Sequence, residues 1–213
     1  MENAMESIVY FDAEIGVEDH KIRDIGALRD GETFHSASAA DFWAFAADAR
    51  YLCGHNIVHH DLKYLSPLCP APLQAAPIDT LYLSPLLFPR RPYHALLKDD
   101  KLQSDELNNP VNDSEKARRL FLDEVNAFAA LSEGRKRIYC ALLKEQAEFR
   151  GFFEYVGFSE VPTDLPFLIR TLFRGKLCEN ADISALMEHS PVELAYWRRL
   201  ARMTNTPSRR RGY

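Results

Sequence analysis

The chain is poor in cysteine. Its 213 residues include four, Cys53, Cys69, Cys140 and Cys178, and no two of them form a CxxC pair. That excludes a disulfide scaffold and ranks buried, reduced thiols ahead of a zinc site. No apolar run approaches the roughly eighteen residues of a membrane span, so no membrane partner is expected. The first residues, MENAMESIVYFDAE, carry acids where a secretory signal needs a basic region, which makes a cytoplasmic location the expectation. There is no internal repeat. A content of 46% hydrophobic and 27% charged residues is that of an ordinary globular protein and excludes a disordered or collagen-like chain. Positive charge is also scarce outside one segment. Residues 197–213 hold six Arg and no acid, which leaves a net charge of −11 on residues 1–196. Such a body lacks the basic field of a simple nucleic-acid binder. An acidic protein can still handle a polyanion if part of its negative charge holds divalent cations.

The chain contains three strand signals in succession. SIVYF at 7–11 is β-branched and aromatic and ends at Asp12. KIRDIGALR at 21–29 follows, then the Asp30-Gly31 turn pair, then ETFHSAS. A three-strand meander is the expectation. Ser38 is a predicted cap for the helix ADFWAFAADA, YLCGH at 51–55 is a short strand, and HDLKYLSPL is helical as far as Pro67. Ile78-Asp79-Thr80 leads into the helix LYLSPLL. Residues 88–111 read as an irregular functional loop region with short helices. Helices are predicted from Ser114 to about Leu131, over 135–156, and in shorter pieces over 164–203 broken near Gly175 and Pro191. The order of elements describes a mixed α/β domain with a helical tail. In that tail Phe149, Phe152, Phe153, Tyr155 and Phe158 recur at helical spacing and are expected in the core rather than in a base-stacking platform.

Three acidic elements stand out. Asp12 and Glu14 lie two apart at the end of the first strand, so both carboxylates share one face. Asp61 opens a helix after the hydrophilic run His55, Asn56, His59, His60; as an isolated feature it reads as an N-cap. Asp113, before the long helix, has the same reading. His59 and His60 are adjacent and point apart, and no HExxH spacing exists, so zinc is disfavoured. Together the four carboxylates can hold two divalent ions about 3.5–4 Å apart, with hard oxygen ligands favouring Mg²⁺ or Mn²⁺.

FDAEIG, GHNIVHHDLKYL, IDTLYLS and NNPVNDSEKARRLF, in that order, resemble the motifs of 3′–5′ exonucleases of the DEDD superfamily. The second motif has the longer spacing of family B polymerase proofreading domains, with His60 where Phe or Tyr is usual. More narrowly, the run LYLSPLLFPRRPYHALLKDDKLQSDELNNPVND is similar to the exonuclease domain at the N-terminus of large bacterial RecQ-like DNA helicases. The resemblance implies an α/β ribonuclease H-like fold, a mixed sheet with a three-strand meander and flanking helices, over residues 1–133. A helical extension over 134–196 and a basic tail over 197–213 outside the family would follow. It implies hydrolysis of phosphodiesters at the 3′ end of DNA, preferably single-stranded, with two Mg²⁺ or Mn²⁺ on Asp12, Glu14, Asp61 and Asp113.

The same resemblance puts Asn56 and His60 at the substrate. Arg90, Arg91, Lys98 and Lys101 could contact phosphates or simply be solvated. It also exposes a departure. The third motif usually carries His five residues, or Tyr four residues, before its Asp; here those positions are Asn108 and Asn109. Asparagine takes no proton near neutral pH but can orient a water. Three readings follow. Metal ions suffice to activate the water; His94, His59 or His60 supplies the base; or the module binds without turnover. Retained activity is the expectation, with Asn108 in the catalytic set. A non-catalytic nucleic-acid or protein interaction module and an exoribonuclease are the alternatives. A helicase domain, in cis or in trans, is the implied partner. The change in charge near Tyr196 is expected to mark a truncation or a shifted reading frame.

Overall fold

The computed structural model describes residues 7–94, 96, 109–178 and 180–196. Five strands form one mixed sheet: β1 (Ile8–Ile15), β2 (Ile22–Arg29), β3 (Glu32–Ser36), β4 (Tyr51–Gly54) and β5 (Ala76–Asp79), in the order β3-β2-β1-β4-β5. β1, β2 and β3 are the antiparallel meander read from the sequence, while β4 and β5 add in parallel to β1. The meander turns at Asp30 and Gly31, both at positive φ, between the paired Arg29 and Glu32. That is the geometry an Asp-Gly hairpin favours.

The pleat divides the core in two. Val9, Phe11 and Ala13 point to one face of the sheet, where they pack with Phe42 and Trp43 of α1 (Ala39–Phe45) and Leu62 and Leu65 of α2 (Asp61–Leu65). Ser38 caps α1 as expected, its hydroxyl accepting from Asp41 N–H at 3.2 Å. Ile8 points to the other face, with Tyr10 packed alongside. That face carries α3 (Thr80–Leu87), α4 (Pro110–Ala129), α5 (Glu133–Leu143), α6 (Ala147–Tyr155), α7 (Leu165–Leu172) and α8 (Ile183–His189). Residues 191–196 are also helical. Phe149, Phe152 and Phe153 are buried there, with Tyr155 and Phe158 packed against them, as core and not as a platform. α6 meets β5 closely: a Cβ on Gly151 would overlap the carbonyl oxygen of Pro77.

Several boundaries differ from the sequence reading. β1 runs on to Ile15 because its antiparallel pairing with β2 continues to a bulge between Glu14 and Ile15. Asp12 and Glu14 are therefore inside the strand rather than at its end. α4 starts at Pro110 instead of Ser114; Asn109 is its cap, accepting from Val111 N–H at 3.0 Å, and proline fits the first helical turn. The single helix expected over 135–156 is two helices, separated at Lys144–Gln146. Both bury apolar faces, Cys140 and Leu143 on one and Phe149 and Phe152 on the other, in the same core, so the chain turns between them. Of the 88–111 loop, residues 88–94 are turns and bends without helix. The cysteines are all free, but only Cys53 and Cys140 are buried; Cys178 is exposed. No helix among the described residues is long and apolar enough to cross a membrane.

Candidate metal centre

Alternation along β1 puts Asp12 and Glu14 on the face that α4 covers, opposite to Phe11 and Ala13. α4 comes close because β2 has glycine at the crossing. Gly26 is paired with Asp12, and a Cβ on it would overlap the backbone of Pro110 and Val111. Ser114, buried, locks the approach: its hydroxyl lies 2.9 Å from the Gly26 carbonyl and 2.7 Å from that of Pro110. The first turn of α4 thus delivers Asp113 to the strand. Carboxylate oxygens of Asp12, Glu14 and Asp113 lie within 4.8 Å of one another, a grouping that could hold a metal ion.

Asp61 arrives from α2 and meets β1 at Ala13. It is buried, and its Oδ1 accepts from Ala13 N–H at 3.2 Å and contacts His60 Nδ1 at 3.3 Å. It is not one of the three converging ligands, although its charge acts strongly on Asp12. Neither Asp61 nor Asp113 is a helix cap: His60 occupies the cap position of α2 and Asn109 that of α4. The capping readings of both acids are overturned, although the Asp61 carboxylate still accepts from its own backbone N–H and from that of Ala13.

The electrostatics reflect four acids in one place. Burial, then repulsion from Asp61, Asp113 and Glu14, pushes the Asp12 carboxyl up to about 8. Burial also raises Asp61, against the opposing hold of His60 and the Ala13 N–H. His60 is raised through its hydrogen bond to Asp61 and stays protonated to higher pH than a free histidine. Asp113 has a partial counterion in Lys116 at 3.2 Å. A divalent cation fits this donor set. All the converging donors are hard oxygens, and the unbalanced repulsion at Asp12 is the feature that bound positive charge would relieve.

A second buried acid, Asp79, shapes the loop between β4 and α2. Its carboxylate accepts from the N–H groups of Asn56 (2.8 Å), Val58 (3.0 Å) and Leu81 (3.0 Å), so it caps α3 and fixes the 55–58 turn together. Asn56 is held at φ 65°, a conformation asparagine tolerates. Burial pushes Asp79 up to about 6 despite these donors. Thr80 beside it donates to the Gly54 carbonyl at 3.1 Å, so it must accept from His55 Nδ1 at 2.8 Å. That assigns the His55 proton to Nδ1 and leaves Nε2, buried and without a hydrogen bond among the described residues, as an acceptor. Burial pushes His55 down to about 4, with Asp113 among the charges acting on it.

The other expected residues fare differently. His59 contacts Glu148 of α6 at 2.8 Å, and His94 meets Ser84 at 3.0 Å. Arg91 has its guanidinium 3.9 Å above the Phe88 ring, and Arg90 is exposed beside it. Asn108, Lys98 and Lys101 lie outside the described residues. Sequence reasoning missed Gly26, Ser114 and Asp79 as positioning residues. The Asp-Thr pair opening α3 was a usable signal for Asp79; Gly26 carried none, because its role depends on a helix more than eighty residues away.

No protein-family model matches the chain, and neither the curated proteins nor the solved structures give a match.

Proposed function

We propose that the chain is a metal-dependent 3′–5′ exonuclease of the DEDD type, on a ribonuclease H-like fold, acting at the 3′ end of single-stranded DNA. The observation that carries the reading is the convergence of Asp12, Glu14 and Asp113 within 4.8 Å, with Asp61 beside them. The five-strand mixed sheet, a meander extended by two parallel strands, is compatible with that fold. Asp12, Glu14, Asp61 and Asp113 would hold two Mg²⁺ or Mn²⁺, which supply an activated water and positive charge at the scissile phosphate. The chain's own part is orientation. Ala13 N–H and His60 fix Asp61, and Ser114 on Gly26 fixes the turn that bears Asp113. His60, exposed and biased toward its cationic form, is suited to a phosphate oxygen next to the carboxylates. A helicase domain, in cis or in trans, is the partner that the sequence resemblance implies.

The test is degradation of end-labelled DNA and RNA single strands, with free or blocked 3′ ends, in Mn²⁺ and in EDTA. Stepwise shortening of DNA from a free 3′ end, only with metal, is expected. Asp113→Ala should abolish it while leaving the far-UV circular dichroism intact. Undiminished degradation by the variant refutes the assignment. Shortening of RNA alone transfers it to an exoribonuclease, and strand binding without any shortening to a binding module.

A further inference from the structure

A ridge of rings leads outward from the carboxylates. It begins at His60, whose Nδ1 lies 3.3 Å from Asp61, and passes to Tyr64 on the next turn of α2, with ring centroids 6.1 Å apart and edge to face. From Tyr64 it crosses to His20 in the β1–β2 connection. Those two rings are stacked, 5.6 Å apart and 19° from parallel, and the tyrosine hydroxyl lies 3.3 Å from His20 Nδ1. Lys63 places its ammonium 5.3 Å from the Tyr64 centroid.

The burial of these rings is informative. Asp61, Leu62 and Leu65 are the buried residues of α2; Tyr64, one turn after Asp61, flanks that buried side, and Lys63 takes the outer side. Tyr64 is half-buried, whereas His20, His60 and Lys63 are exposed. The tyrosine is thus the backing and the histidines are the outer surface. The connection that carries His20 is built rigidly. Gly16 N–H donates to Lys21 O at 2.8 Å and His20 N–H to Gly16 O at 2.9 Å, while Asp19 pairs with Arg23 at 2.7 Å. His20 itself sits at φ 54°, in the left-handed region. Val17 on the same connection is 89% exposed. Tyr64 is not among the residues packed in or against either core.

We infer that His20 and Tyr64, continued by His60, form a stacking ledge for unpaired nucleobases that seats the strand end against the carboxylates. This rests on the exonuclease reading above and adds the surface that would hold the bases. Flat rings accept any base on a π face, and the neighbouring Lys63 favours the accompanying phosphates, in an otherwise acidic body. The contact with His60 and Asp61 makes the ledge continuous with the metal centre, which is what a strand entering by its 3′ end requires.

The test pairs protein and substrate changes. Single-stranded oligonucleotides, either intact or with one abasic site placed in turn at each of the last four positions, compete as substrates for the full chain with Mn²⁺. KM and kcat are measured for wild type, His20→Ala, Tyr64→Leu and Tyr64→Phe. At one position or more, wild type should lose about tenfold in KM on removal of the base. At the same position His20→Ala and Tyr64→Leu should lose less than about twofold, having lost the partner already, with kcat preserved. Tyr64→Phe keeps the ring and should behave as wild type. An abasic penalty equal in wild type and both ring variants overturns the ledge while leaving the exonuclease reading intact. Absence of any shortening or strand binding by wild type overturns both.

Discussion

Replacement of Asp12 by asparagine should stabilise the metal-free protein while destroying its response to metal. In the fold, Asp12 is pushed from an ordinary 3.8 up to about 8 by burial and by Asp61, Asp113 and Glu14. A carboxyl raised in this way binds a proton in the folded chain that the unfolded chain has released. Stability therefore falls as pH rises from about 3.8 to about 8 and is level above that. At about 1.4 kcal/mol for each pH unit, the interval up to pH 7 costs about 4 kcal/mol. Asparagine cannot ionise, but it buries an amide at a cost of about 1–2 kcal/mol. The expected net gain is about 2–3 kcal/mol, or roughly 5–10 °C in Tm for a chain of this size. Thermal unfolding followed by circular dichroism in EDTA should show the Asp12→Asn variant melting above wild type at pH 7–8, with the gap closing near pH 5 and reversing below it. Saturating Mn²⁺ at a hundred times its Kd should then raise wild type by about 2.7 kcal/mol and the variant by much less. A gap in EDTA that is absent at pH 8, or constant with pH, refutes the electrostatic reasoning. Equal stabilisation of both proteins by Mn²⁺ refutes the metal site.

Two further perturbations test the supports of the site. Gly26→Ala should force the first turn of α4 away from β2, costing about 1–3 kcal/mol in a urea melt and lowering Mn²⁺ affinity, since Asp113 moves with the turn; unchanged stability and metal response would show that the close approach is not required. Glu124, fully buried on α4 with neither carboxylate oxygen hydrogen-bonded among the described residues, is held well above the usual carboxylate range by burial and by Asp79, so the fold should lose stability through it as pH rises above about 4.5. Glu124→Met should melt above wild type, by more at pH 8 than at pH 5; a difference independent of pH would mean that the carboxyl is not buried in its neutral form.

How much of this was legible in the sequence depends on the range of the interaction. The Asp30-Gly31 turn and the Ser38 cap are decided within four residues, and both stand as read. The i, i+2 relation of Asp12 and Glu14 survived even though the strand end was misjudged, because alternation does not depend on where the strand stops. The break between α5 and α6 carries no glycine or proline; it is imposed by two apolar faces seeking one core, which is a tertiary demand.

The candidate site shows the same division at the level of chemistry. Each acid was visible, and each had a local alternative as a strand-end or capping residue. Only assembly discriminates. His60 and Asn109 take the cap positions, and Asp113 reaches Asp12 because β2 offers a glycine where α4 crosses it. The close packing that brings the carboxylates together is also what desolvates Asp12 and exposes it to its neighbours' charge. Stability and metal affinity at this site are therefore coupled through one geometry. A substitution that relaxes the crossing of α4 over β2 should lower stability and cation binding together, whereas removal of the Asp12 charge should raise the stability of the metal-free protein and abolish cation binding.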